Sequence, residues 1–312
     1  MKSLRIVIIV LVVVVLAVVG ISFYMLDYSL APNPDRMNTS LVYQQLYDDY
    51  PECREWVDSL QAYNAIRDTF LIMPSGERHH ALFIDGRSGC TAVVIHGWRD
   101  CAVEFLWLAR IYERCLGYNV LLPDLHACGL SEGSAIQMGW KDRLDVMRWM
   151  EAFVTDTMVV HGVSMGAATA MILSNEQMPS GIKDVRFVED CGYTSVWDEF
   201  ADQLHEQFSL PPFPLMYTTS MLCKLCYGWS FSEASPLGAV RNCHYPMLFI
   251  HGSNDTFVPT NMVYALYQAK PGNKQLWVAE GSEHARSYKD HKADYIERVR
   301  DFCRSEIRDF AE

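Results

Sequence analysis

A valine-rich run, Met158-Val159-Val160-His161, ends in Gly162-Val163-Ser164-Met165-Gly166 and gives way to Ala167-Ala168-Thr169-Ala170. The run reads as a buried strand and the small residues after it as a helix, so a sharp turn must lie between them. Two glycines four apart leave out the Cβ atoms that would collide where strand and helix press together. A serine held at such a turn stands clear of the sheet. The helix that follows directs backbone N–H groups and a positive partial charge at the space beside it. The spacing is that of a G-x-S-x-G nucleophile elbow.

The rest of the chain supplies a setting for that turn. From residue 91 onward, short apolar runs at 91–95, 118–122, 185–188, 247–250 and 275–278 read as strands. Between and after them lie helical patterns at 103–116, 141–153, 260–269 and 288–310. Strands buried on both faces and alternating with helices demand a mostly parallel, doubly wound α/β sheet with helices on both faces. Runs at 69–73 and 81–84 flank a Pro-Ser-Gly-Glu-Arg turn and read as a hairpin. The rhythm lapses over residues 196–240, which is too long for a bare loop and reads as an inserted helical cap over the strand ends.

Residues 6–26 form one apolar stretch, preceded by Lys2 and Arg5 and followed by Asp27. Such a run is long enough to cross a bilayer core of about 30 Å. Positive charge on the short side predicts the N-terminus inside and the remainder on the extracytoplasmic side. The run exceeds a usual signal-peptide core and no clean A-x-A site follows, which favours an uncleaved signal anchor over a cleaved signal peptide. The expected organisation is therefore an anchor over 1–27, a linker and N-terminal helical segment over 28–64, and an α/β domain over 65–312. The chain of 312 residues is half hydrophobic and carries a net charge of −12. The acidic balance argues against nucleic acid as a partner. Ten cysteines permit disulfides without requiring them. Cys223 and Cys226 have C-x-x-C spacing, but no second pair completes a zinc set, so they read as a local disulfide or two free thiols.

In a doubly wound sheet, ligands sit at the carboxyl ends of the strands. Ser164, Asp255 and His284 all fall there. A serine hydroxyl needs a base to take its proton, and the base needs an acid to hold its tautomer. His284, in a loop past a late strand, suits the base; Asp255, in His251-Gly252-Ser253-Asn254-Asp255, suits the acid. Glu189 and Asp190, also at a strand end, are alternative acids. The N–H groups of Met165 and of Trp98, in the strand exit His96-Gly97-Trp98, suit an oxyanion hole. His96, His161 and His251 read as structural histidines near the site, and Asp124 as a loop-fixing residue.

On these residues the chain resembles the α/β-hydrolase superfamily. Within it, the chain looks like bacterial membrane-anchored serine hydrolases of the serine aminopeptidase or prolyl-oligopeptidase-like type. The matching pieces span residues 91–285 and include Pro123-Asp124, Gly129-Leu130-Ser131-Glu132-Gly133 and Asp190-Cys191-Gly192-Tyr193-Thr194-Ser195. One loop departs: many relatives carry Arg-Gly-His-Gly where this chain has His126-Ala127-Cys128-Gly129. The resemblance implies a hydrolase that uses neither metal nor organic cofactor and acts on a small-molecule or peptide acyl ester, thioester or amide through an acyl-enzyme. Acyl transfer by the same residues, or a non-catalytic binding protein on the same fold, are the alternatives. Phe208, Phe213, Tyr217, Trp229 and Phe231 suggest either a hydrophobic acyl pocket or the packing of the cap itself.

Overall fold

The structure is a computed structural model and describes residues 2–305. The chain opens with a long helix, α1 (Lys2–Leu30), and two short ones, α2 (Thr39–Asp49) and α3 (Cys53–Ala62). The hairpin follows as β1 (Ile66–Ile72) and β2 (Arg78–Ile84), and then β3 (Cys90–Ile95). A 3-10 turn leads into α4 (Leu106–Ile111) and a π turn, and β4 (Asn119–Pro123) comes next. The middle of the chain holds α5 (Asp142–Ala152), β5 (Thr157–Val163), α6 (Met165–Leu173) and β6 (Asp184–Asp190). Three helices succeed them: α7 (Val196–Phe208), α8 (Leu215–Tyr227) and α9 (Pro236–Val240). The chain then runs through β7 (Met247–Gly252), α10 (Asn261–Ala269), β8 (Lys274–Ala279), α11 (Ser287–Asp290) and α12 (Lys292–Arg304).

The eight strands form one sheet in the order β1-β2-β4-β3-β5-β6-β7-β8. The first two pairings are antiparallel and all later ones parallel. The central strands are buried on both faces because helices cover both. One core, with Trp149, Met171 and Phe187, lies under α5, α6 and the α7–α9 segment; the other, with Trp56, Trp107 and Tyr295, lies under α2–α4 and α12. The register pairs Ile95 with Gly162, Val163 with Asp190, Asp190 with Ile250, and Gly252 with Ala279. Loops leaving β3, β5, β6, β7 and β8 thus emerge along one edge, which is where parallel strands present their ligands.

Three expectations change in detail. The linker expected to begin at residue 28 is still helix through Leu30. Nothing between Asp27 and Leu30 breaks a helix, Leu26 and Leu30 are buried on one face, and the turn stops only ahead of Pro32. The helix expected over 103–116 is three unlike turns ending at Gly117, whose φ of 70° suits a residue without Cβ. The last helix breaks at His291, and its expected residues 306–310 lie outside the described chain. All ten cysteines are free thiols, so Cys223 and Cys226 are not bonded to each other; one is buried and the other exposed on α8.

Glycine is sterically required where β5, α6 and β3 meet. A methyl group on Gly166 would overlap the carbonyls of Ile95 and His96, and one on Gly162 would overlap the Gly166 carbonyl. Backbone cannot rotate out of the way as a side chain can. Gly166→Ala should therefore destabilise the protein by about 1–3 kcal/mol or prevent folding. Gly89→Ala, at a glycine with open space around it, should change stability by less than about 0.5 kcal/mol in the same denaturant titration.

Candidate active site

Ser164 occupies the turn between β5 and α6 with φ 56° and ψ −118°. A non-glycine residue in that region stores about 1–3 kcal/mol, which the surrounding packing must hold. Its N–H donates to the Asp190 carbonyl at 2.8 Å and its carbonyl accepts from Ala168, so the backbone is tied on both sides of the strained bond. The side chain is left at the sheet edge.

His284 reaches it from the loop after β8. Its Nε2 lies 2.9 Å from Ser164 Oγ, and its Nδ1 lies 2.7 Å from Asp255 Oδ2. Asp255 hangs from the loop after β7. Its other oxygen accepts the N–H groups of Phe257 at 3.0 Å and Val258 at 2.9 Å. Burial would raise the Asp255 carboxyl, but hydrogen bonds from His251 and His284 outweigh it and hold it at about 2. Asp255 is therefore an anion at neutral pH that can accept a proton bond from His284 Nδ1. That fixes the tautomer in which Nε2 is free to accept the serine proton.

The Trp98 and Met165 residues line the same cavity as Ser164. Among the described residues neither N–H has a hydrogen-bond partner, which leaves both available to an incoming oxygen. Gly97 permits the approach: a Cβ there would stand 3.7 Å from that of Ser164 and against the Asp100 carboxylate. The Trp98 indole is turned away and donates to the Ser29 carbonyl at 2.9 Å.

No family model matches the chain. A curated relative, the uncharacterized protein YqkD of Bacillus subtilis, is 27% identical over 255 residues, covering 78% of this chain and 82% of that protein. Among solved structures, an esterase from Pyrococcus furiosus superposes with a TM-score of 0.62 at 22% identity, covering 78% of this chain and 93% of that one. An acylaminoacyl peptidase from Pyrococcus horikoshii superposes at 0.58 and 15% identity, covering 79% and 42%. An esterase from Exiguobacterium antarcticum gives 0.56 at 16% identity, covering 76% and 99%. At these identities the likeness is one of fold. The fold is that of the α/β hydrolases.

Around the α/β-hydrolase strand ends, the remaining candidates divide. Asp190 accepts from Tyr295 Oη at 2.9 Å, and Glu189 accepts the Gly192 N–H at 3.0 Å; neither bonds His284. His161 is held between Tyr112 and Tyr295, and His96 between the Gly97 carbonyl and the Leu125 N–H, in structural roles. His251 is a structural histidine beside the Ser164–His284–Asp255 set. Its Nε2 donates to the Val258 carbonyl at 2.9 Å and lies 3.3 Å from Asp255 Oδ2. Asp124 takes the N–H groups of Ala102 and Leu130 and the His80 ring, fixing its loop. Cys191, Asp255 and His284 bring ligand atoms within 4.8 Å of one another. Burial drives the Cys191 thiol well above its ordinary range, and a metal there would have to break the His284–Asp255 bond, so the set fits proton traffic better than an ion.

Two groups in the cavity wall were not legible in the chain. Tyr28 and Ser29, from the end of α1, face the cavity of about 90 Å³ that holds Ser164. Glu199, on α7, lines it too, with Oε2 lacking any partner among the described residues. Burial, and then the charges of Asp255 and Asp202, raise its carboxyl well above the usual carboxylate range. In the unfolded chain this group ionises near 4.5, whereas the fold holds its proton to higher pH, so its contribution to stability falls as pH rises above that value. Glu199→Gln should raise the melting temperature by a few degrees at pH 8 and by less at pH 4.5, read by thermal unfolding at both.

Proposed function

We propose that the chain is a membrane-anchored serine hydrolase that cleaves an acyl ester, thioester or amide. The observation that carries this reading is the pair of hydrogen bonds, 2.9 and 2.7 Å, that run from Ser164 through His284 to Asp255. Ser164 Oγ forms a bond to the acyl carbon as His284 Nε2 takes its proton. The N–H groups of Trp98 and Met165 receive the carbonyl oxygen as it becomes an oxyanion, in a site that needs no reorganisation to do so. The bond from carbon to the leaving group then breaks, and His284 returns its proton to the departing alcohol, thiol or amine. Water, deprotonated by the same ring, attacks the acyl-enzyme and releases the acid. Asp255, an anion throughout, orients the imidazole and offsets the charge it gains.

The anchor belongs to the same proposal. α1 is 29 residues long, about 43 Å. Its residues from Ile6 to Leu16 are apolar and exposed, a surface that a bilayer would cover. Lys2 and Arg5 at its start favour an N-terminus inside, with the hydrolase domain on the extracytoplasmic face.

A small fluorophosphonate probe tests the nucleophile. Intact mass should show one adduct on the wild type, none on Ser164→Ala, and labelling slowed by at least about 1,000-fold on His284→Ala. Asp255→Asn should lower ester turnover by about 100- to 10,000-fold, because the ring then adopts the wrong tautomer. Full labelling of Ser164→Ala would refute the assignment.

A further inference from the structure

The anchor helix does not stop at the membrane; its last turns are built into the domain. Ser22 Oγ meets Thr218 Oγ1 of α8 at 2.6 Å, and Tyr28 Oη donates to Gln207 Oε1 of α7 at 2.9 Å. Donors from the domain take the carbonyls at its end: Arg99 takes those of Tyr28 and Ala31, Trp98 that of Ser29, and Ile136 that of Leu30. The helix is thereby held against the loop that carries the Trp98 N–H.

Depth follows from length. Twenty residues of helix cover a bilayer core of about 30 Å, so a core that begins at Arg5 ends near Met25. Contact with the domain begins earlier, at Val18 and Ser22. The cap helix beside that stretch must then lie at the level of the leaflet facing the domain. Its outer face is suited to that position: Phe213, just ahead of α8, and Tyr217, Met221 and Leu225 on it are 73%, 59%, 57% and 74% exposed. The last three are spaced four apart and form a single apolar stripe. Its continuity with the exposed apolar surface of α1 identifies the bilayer as its occupant.

Two cavities run from this level to the serine. The one holding Ser164 shares Tyr28, Ser29, Phe200, Gln203 and Gln207 with a second, of about 50 Å³, whose further walls include Met25, Phe208, Leu215 and Phe231. The second is almost wholly apolar and sits one helical turn back along α1. We infer that the substrate is a bilayer-resident amphiphile, an acyl ester whose hydrocarbon chain enters between α1 and the cap and lies along Met25 and Tyr28, with its carbonyl at Ser164. This inference rests on the hydrolase reading and on α1 spanning a membrane.

The test uses the full chain in phosphatidylcholine vesicles. Hydrolysis of 4-methylumbelliferyl palmitate held in the vesicles is compared with hydrolysis of para-nitrophenyl acetate in the water, and their ratio is read. Active protein is counted by labelling with a small fluorophosphonate. Met25→Trp, which fills the apolar cavity, and the pair Met221→Glu with Leu225→Glu, which charges the exposed stripe, should each lower the ratio at least tenfold. Wild-type protein that labels while both variants keep the wild-type ratio would overturn the membrane route and leave the hydrolase standing. Folded wild-type protein that does not label would overturn the hydrolase reading and the route with it.

Discussion

Everything at the strand-end edge depends on how closely one helix can approach two strands. The Gly166 Cα lies against the carbonyls of Ile95 and His96, and Gly162 lies against the carbonyl of Gly166. That backbone contact holds Ser164 at positive φ and keeps the strand exit at Gly97 beside it. The strain at Ser164 persists because the Asp190 carbonyl, Ala168 and the close-packed glycines each fix the turn independently. A looser interface would let the turn relax and carry the hydroxyl away from His284.

Charge is distributed around that turn by burial and hydrogen bonding together. Asp255 and Glu199 are both acids in the same small volume, and their surroundings push them in opposite directions. Asp255 receives two backbone N–H bonds and faces two imidazoles, so it stays ionised. Glu199 has an oxygen with no partner among the described residues and two acidic neighbours, which favours its neutral form. One anion beside His284 is enough to orient it, and a second in the apolar cavity would carry a desolvation cost with nothing to offset it.

The parts of this arrangement that were readable from the chain are local or periodic. The elbow announces itself in nine consecutive residues. The parallel sheet follows from apolar runs alternating with helices, and Asp255 and His284 could be chosen because each follows a strand. What could not be read is long-range. Glu199 looks like any acidic residue on an amphipathic helix until α7 is laid over Ser164. The docking of the end of α1 against the domain gave no signal, although nothing ahead of Pro32 breaks the helix. Its apolar run ends where a linker is expected, and it is the burial of Leu26 and Leu30 and the hydrogen bonds from Trp98, Arg99 and Ile136, far along the chain, that show the helix built into the domain.

That junction changes what the N-terminal helix is. A tether can be severed without altering what it holds. Here, cutting the chain ahead of residue 31 would strip Leu26 and Leu30 from the core, remove acceptors from the Trp98 indole and the Arg99 guanidinium, and open one wall of the cavity to water. The helix is thus a removable strut only at the cost of the room it encloses. A form of this protein lacking that helix would need a new wall, and not merely a shorter gene.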